Sequence, residues 1–134
     1  MLPPGNDPDI ISVHYHAGRV EPGGMFVAIP GLTADGHDYI GQAVENGAAA
    51  IVSQKPVSAP VPVIVTANSR AALARIAAEF HGNPAADLVL IGLTGTNGKT
   101  TTAYIIESLL TRAGFSVGVI GTIEYRYAGR CFDN

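Results

Sequence analysis

The sequence predicts an α/β fold built in two parts. Three observations carry that expectation. Short apolar, branched runs alternate with segments whose apolar residues recur at helical spacing, the pattern of parallel strands joined by helical crossovers. The break Gly82-Asn83-Pro84-Ala85-Ala86 interrupts the alternation and reads as a domain boundary, giving one domain over 1–84 and the start of a second over 85–134. Just beyond it an apolar strand runs into a glycine-rich loop and then a helix, over Leu90-Ile91-Gly92-Leu93-Thr94-Gly95-Thr96-Asn97-Gly98-Lys99-Thr100-Thr101-Thr102.

The elements follow in order. After a proline-rich lead-in, Ile10 to Tyr15 reads as a strand, Arg19 to Gly24 as a turn and Met25 to Ile29 as a short buried strand. Leu32 to Asp38 is a loop, with Asp38 placed to cap a helix over Tyr39 to Asn46. Its apolar face is Tyr39, Ile40, Ala43 and Val44, and Gly47 suits its C-terminal cap. Strands are expected at Ala48 to Val52 and Val63 to Val65. Asn68 caps a helix over Ser69 to His81, where Leu73, Ile76, Ala77 and Phe80 share a face. Leu88 to Leu93 is the strand before the loop. The helix after it, Lys99 to Ala113, turns Ile105, Ile106, Leu109 and Leu110 inward and ends at Gly114. Val117 to Gly121 and Ile123 to Tyr127 read as strands and Ala128-Gly129 as a turn signal, and the alternation of strands with helices implies parallel pairing. The part after the break is the first βαβ portion of a nucleotide-binding domain. It is too short for a complete one, so the chain is expected to be part of a larger protein.

Bulk composition narrows the function classes. The chain has 134 residues, is 47% hydrophobic and 14% charged, and carries a net charge of −3, which is globular rather than disordered. The eight lysines and arginines form no basic stripe, which disfavours nucleic acid as a partner. The single cysteine, Cys131, excludes an internal disulfide and any multi-cysteine metal site, which fits the cytoplasm. The opening residues lack the basic and apolar regions of a signal peptide, and no apolar run reaches the ~18 residues of a membrane span. A cytoplasmic monomer is expected.

The loop at 94–102 has the chemistry of a triphosphate cradle. Gly95 and Gly98 let the backbone curl with its N–H groups turned toward anionic oxygens, and the helix N-terminus adds free donors and partial positive charge. Gly95, Thr96, Asn97, Gly98, Lys99, Thr100 and Thr101 are the candidate ATP-binding residues. Lys99 would reach the outer phosphates and assist phosphoryl transfer, and the Thr100 hydroxyl would ligate Mg²⁺. The strict G-x-x-x-x-G-K-[ST] pattern fails, because its first glycine falls on Leu93.

These residues resemble the Mur ligase family. Gly-Thr-Asn-Gly-Lys-Thr-Thr-Thr at 95–102, followed by Val119-Ile120-Gly121-Thr122-Ile123-Glu124-Tyr125, looks like the opening of its central domain. Val20-Glu21-Pro22-Gly23-Gly24-Met25-Phe26-Val27-Ala28 resembles the pattern V-x-P-G-D-L-F-V-A, and Asp35-Gly36-His37-Asp38-Tyr39-Ile40 with Gly47-Ala48 resembles D-G-H-D-F-I…G-A. The likeness runs from about Ile10 onward and is greatest to the E-type branch. It implies a small N-terminal UDP-sugar-binding domain before a P-loop ATPase domain. It also implies an ATP- and Mg²⁺-dependent amide ligation in peptidoglycan synthesis. The D-glutamate carboxylate of UDP-MurNAc-L-Ala-D-Glu is phosphorylated, and the acyl phosphate is attacked by the amine of a third amino acid, meso-diaminopimelate or L-lysine. The alternatives are an F-type ligase, a folylpolyglutamate synthase sharing the phosphate-loop core, or a stand-alone UDP-sugar-binding module without catalysis.

The resemblance also places the UDP-lining segments at His16-Ala17-Gly18 and Leu32-Thr33-Ala34. The chain departs from the family there: His16-Ala17-Gly18 stands where Asp-Ser-Arg is usual, and Gly24 where an aspartate is. Backbone groups, Thr33 or His16 would have to supply the contacts of the lost serine. The later Mg²⁺-binding glutamate, the carbamylated lysine, the Thr-Thr-Pro segment and the domain for the incoming amino acid do not occur in these residues, so the chain by itself is expected to be inactive. The plainer readings are these. His14, His16, His37 and His81 lack metal-ligand spacing. His37 orders its loop by hydrogen bonding to backbone. Asp35 and Asp38 serve turns and caps. Tyr125 and Tyr127 alternate with Arg126 on a half-exposed strand, Glu124 takes a surface role, and Cys131, near the end of the sequence, is incidental.

Overall fold

A computed structural model describes residues 8–121 and 124–133, with the side chains of Glu124 and Asp133 outside the description. The chain divides into two compact units, meeting between Leu88 and Val89.

The first unit is built on four parallel strands in the order β1 (Ser12–His14), β2 (Gly24–Val27), β3 (Ala50–Ser53) and β4 (Val63–Val65). Phe26 pairs with Ile51 and Val27 with Val52, and all four side chains are fully buried. Successive side chains on a strand point to opposite faces, so both faces of the central pair are covered. Helix α1 (Ile40–Glu45) contributes Ile40 and Ala43 to the cluster that holds Phe26 and Ile51. Helix α2 (Ser69–Phe80) packs against β1 and β3.

Local rules explain where these elements stop. Asn68 caps α2, its side chain accepting the N–H of Ala71 at 3.0 Å, as the sequence predicts. Asp38 does not cap the next helix. That role falls to Asp35, which accepts the N–H of His37 and opens a 3-10 turn over Gly36–Tyr39 ahead of the shortened α1. Asp35 wins because the chain tightens one turn earlier than the apolar spacing indicates, as helix starts often do. Helix α2 and the α-helix after it, α3 (Lys99–Arg112), end like α1: a positive-φ glycine donates three residues back, and the next residue donates five back. Gly47 has a second constraint, since a Cβ there would come within 2.9 Å of Pro22 Cα.

The second unit departs further from expectation. Leu88 to Leu93 forms no strand, because no neighbouring strand among the described residues supplies its ladder bonds. The pairing beyond α3 is antiparallel, not parallel: β5 (Gly118–Ile120), β6 (Glu124–Tyr127) and β7 (Arg130–Asp133) form a meander. Strand β7 was not expected. The two residues Ala128 and Gly129, both at positive φ, make the tight hairpin that lets β6 and β7 pair directly. Thr122 and Ile123 lie outside the described residues. On α3 the partly buried side is Ala103, Ile106, Glu107 and Leu110, whereas Ile105 and Leu109, expected inward, are exposed. What turns the helix this way is polar as well as apolar. Arg126 of β6 meets Glu107 at 2.6 Å and lays its guanidinium 3.8 Å over the Tyr104 ring.

Candidate functional site

Two places gather the residues that the sequence singles out. The first is the carboxyl edge of the parallel sheet. His16, Ala17 and Gly18 follow β1, and Leu32, Thr33 and Ala34 follow β2, its direct neighbour in the sheet. Both segments therefore leave the same edge from adjacent strands, where open α/β sheets bind ligands. The members differ in what they can offer. His16 and Gly18 are exposed, and Leu32, Thr33 and Ala34 are fully available. Ala17 is a core residue, and its carbonyl accepts the Asn46 side-chain amide at 2.9 Å. Its methyl group thus belongs to packing, not to a pocket.

The substitution at Gly24 has a steric counterpart. A Cβ there would stand 2.9 Å from Ser12 Oγ and 3.2 Å from the His14 ring, and those two side chains share a hydrogen bond of 2.8 Å. The space of the usual aspartate is filled from β1.

Behind this edge lies a polar cluster that the sequence does not reveal. Asp35 Oδ1 is 2.5 Å from His37 Nδ1, and Asp35 Oδ2 is 3.0 Å from Lys55 Nζ. The N–H of Gln54 donates to His37 Nε2 at 3.0 Å, and the Gln54 side chain donates to the buried Ser69 hydroxyl at 2.9 Å. The backbone and side-chain hydrogen bonds from His37, then the Lys55 ammonium, hold the Asp35 carboxyl well below the usual carboxylate range. His37 meets its sequence expectation, since it bonds backbone. Gln54, Lys55 and Ser69 carried no signal, because their partners lie 15 to 20 residues away in sequence.

The second place is the loop before α3. Gly95 has φ +144 and Gly98 φ +76, conformations that a side chain would strain. Gly98 is the N-cap of the 14-residue α3 and makes no side-chain cap bond, so the N–H groups of Lys99, Thr100 and Thr101 at the first turn face outward. Lys99 Nζ folds back and donates to the Gly95 carbonyl, laying its charge across the loop. Thr96, Asn97, Thr100 and Thr101 are exposed around it. Among the described residues no three His, Cys, Asp or Glu side chains gather as a metal site. No helix among them is long and apolar enough to cross a membrane.

Comparison with known proteins covers both units of the chain. Residues 10–81 match the Mur ligase family, catalytic domain, and residues 93–132 match the Mur ligase middle domain. The chain belongs to the Mur ligase family. Among curated members, the UDP-N-acetylmuramoyl-L-alanyl-D-glutamate–2,6-diaminopimelate ligase of Geobacillus thermodenitrificans is 47% identical over 96% of this chain and 26% of its own length. The same-named ligase of Aquifex aeolicus is 51% identical over 81% of this chain and 22% of its own. The chain thus spans about a quarter of the curated Mur ligases it matches. Among solved structures, the MurF ligase from Thermotoga maritima in complex with ADP is 33% identical, with a TM-score of 0.65 over 84% of this chain and 26% of that one. A solved 2,6-diaminopimelate ligase gives a TM-score of 0.73 at 22% identity, a likeness of fold.

Proposed function

We propose that this chain is the UDP-sugar-binding part and the phosphate-loop opening of an E-type Mur ligase. The whole protein would use ATP to join a third amino acid, meso-diaminopimelate or L-lysine, to UDP-MurNAc-L-Ala-D-Glu through an acyl phosphate in cytoplasmic peptidoglycan synthesis. The observation that carries the reading is the 47% identity to a 2,6-diaminopimelate ligase across both units. The F-type alternative has support in the 33% identity to the MurF structure, which is a more distant likeness.

The site residues fit the roles that this reaction needs. Two positive-φ glycines and an uncapped helix N-terminus form a loop whose N–H groups suit polyphosphate oxygens. The Lys99 ammonium already lies over that loop, and exchanging its Gly95 carbonyl for a phosphate oxygen needs only a rotation of its flexible stem. Thr100, exposed at the first turn of α3, would offer its hydroxyl to a Mg²⁺ ion bound with the nucleotide. Bound ATP supplies the phosphoryl group that turns a carboxylate into an electrophile, and Lys99 offsets negative charge as that group moves. At the sheet edge, His16, Gly18 and the exposed 32–34 segment serve the UDP end, with Ala17 contributing backbone only. No nucleic acid or membrane partner is implied, and a monomer suffices.

The test is phosphate release by the full-length protein that carries this chain. Release should require UDP-MurNAc-L-Ala-D-Glu together with one of the two amino acids, and the 134-residue chain should bind the UDP-sugar weakly, ATP more weakly still, and turn nothing over. Release driven instead by UDP-MurNAc-tripeptide and D-alanyl-D-alanine would reassign it to the F-type.

A further inference from the structure

The segment carrying Leu32 and Thr33 is a narrow hairpin. Gly36 N–H donates to the Ile29 carbonyl and Gly31 N–H to the Ala34 carbonyl, both at 2.9 Å, and Pro30 bridges to Asp35 between them. No packing holds the tip, since Leu32 is wholly exposed. The hairpin is fixed at its base instead. A Cβ at Gly36 would come within 2.6 Å of Ile29 N, so the returning strand lies tight on the outgoing one. Asp35 then ties the base to His37 and Lys55.

The His37 side chain is only 5% exposed, and its ring joins two elements. A backbone N–H can only donate, so Nε2, facing the Gln54 N–H at 3.0 Å, must hold a lone pair. The proton therefore sits on Nδ1 and is donated to Asp35 at 2.5 Å. One protonation state and one tautomer satisfy both partners.

We propose that His37, held as the neutral Nδ1–H tautomer between Asp35 and the Gln54 amide, is a positioning residue that sets the Gly31–Ala34 hairpin for the UDP end of the substrate. This rests on the reading of that edge as the UDP site. Protonating His37 would place an N–H on Nε2 against the N–H of Gln54 and open the link to β3, while the Asp35 bond would persist. The charged groups about the ring are Asp35, Asp38 on the same turn and Lys55 from the end of β3. Glu45 stands at the far end of α1, and Arg70 of α2 approaches the Pro30 carbonyl at 3.5 Å.

Three substitutions separate the two bonds. In His37→Gln the amide oxygen can take the place of Nε2 and accept from Gln54. In His37→Asn the amide can keep the Asp35 bond but cannot reach Gln54, and His37→Ala keeps neither. Binding of UDP-MurNAc-L-Ala-D-Glu to the 134-residue chain is measured by calorimetry, with the His37 tautomer read by ¹⁵N NMR. His37→Ala and His37→Asn should each weaken binding about tenfold, and His37→Gln by less than about threefold. An Nε2–H tautomer, or an Asn variant that binds as the parent does, overturns the proposal and leaves the UDP reading intact. If the Ala variant does not fold, the Gln and Asn pair decides. A parent chain that binds no UDP-sugar while NMR still reports the Nδ1–H tautomer overturns the UDP reading, and this proposal with it.

Discussion

Asp35 shows how much a single carboxylate can do when its partners are built into the backbone. Its folded-state pKa is depressed, so the stability it contributes is present above its unfolded value near pH 3.9 and is lost as pH falls toward the folded value. Asp35→Asn should therefore lower the melting temperature at pH 7, and the gap to the parent should narrow below about pH 4 in calorimetric scans. Lys99 makes the opposite kind of contribution, since its exposed side chain bonds a carbonyl of its own loop, four residues back, and ties no two elements together. Lys99→Met should leave the melting temperature unchanged while weakening nucleotide binding by the full-length protein about 10–100-fold, read by titration. The two residues also mark what a sequence discloses. The loop at 94–102 stood out in the sequence because its glycines, lysine and threonines fall within a few residues of one another. The Asp35–His37 pair was legible as a turn but not as a strut, because the Gln54 amide is 17 residues away and every residue has an amide.

Elements were legible where their signals are local. Helix α2 was expected at Ser69 with Asn68 as cap, and the cap bond to Ala71 is present at 3.0 Å. Asn68→Ala should cost about 1 kcal/mol, measured by urea unfolding of the chain, with Asn68→Ser restoring most of it. Strand ends were less legible, and β2 begins at Gly24 and β3 ends at Ser53 because pairing register, not apolar content, sets them. The failure at Leu88 to Leu93 has the same origin: a parallel strand exists only with a partner, and six apolar-rich residues do not supply one. Likewise the antiparallel meander hinges on Ala128 and Gly129, which read as a turn in the sequence, whereas the strand they return into, β7, exists only through its pairing with β6.

At the scale of the molecule the two units are unequal. The first has a core of fully buried Phe26, Val27, Ile51 and Val52 beneath two helices. In the second, no described residue is buried, and Val89, Leu90 and Ile120 are 93%, 73% and 87% exposed. Helix α3 is therefore held mainly by its own backbone bonds, the Arg126–Glu107 pair and one partly buried stripe, and an isolated helix of 14 residues is marginal in water. The fold class was readable from composition and alternation, but this imbalance was not, because burial depends on which surfaces meet. Amide hydrogen exchange on the 134-residue chain should show α3 exchanging faster than β2 and β3, through local opening of the second unit. In the longer ligase proposed above, coverage of the exposed apolar positions should slow α3 toward the rate of the parallel sheet, which would tie the rigidity of the loop before α3 to the rest of that protein. Equal protection of α3 and β2 in the short chain would show that the loop is already supported by this unit alone, and the weak nucleotide binding predicted for the short chain would then need a cause other than flexibility.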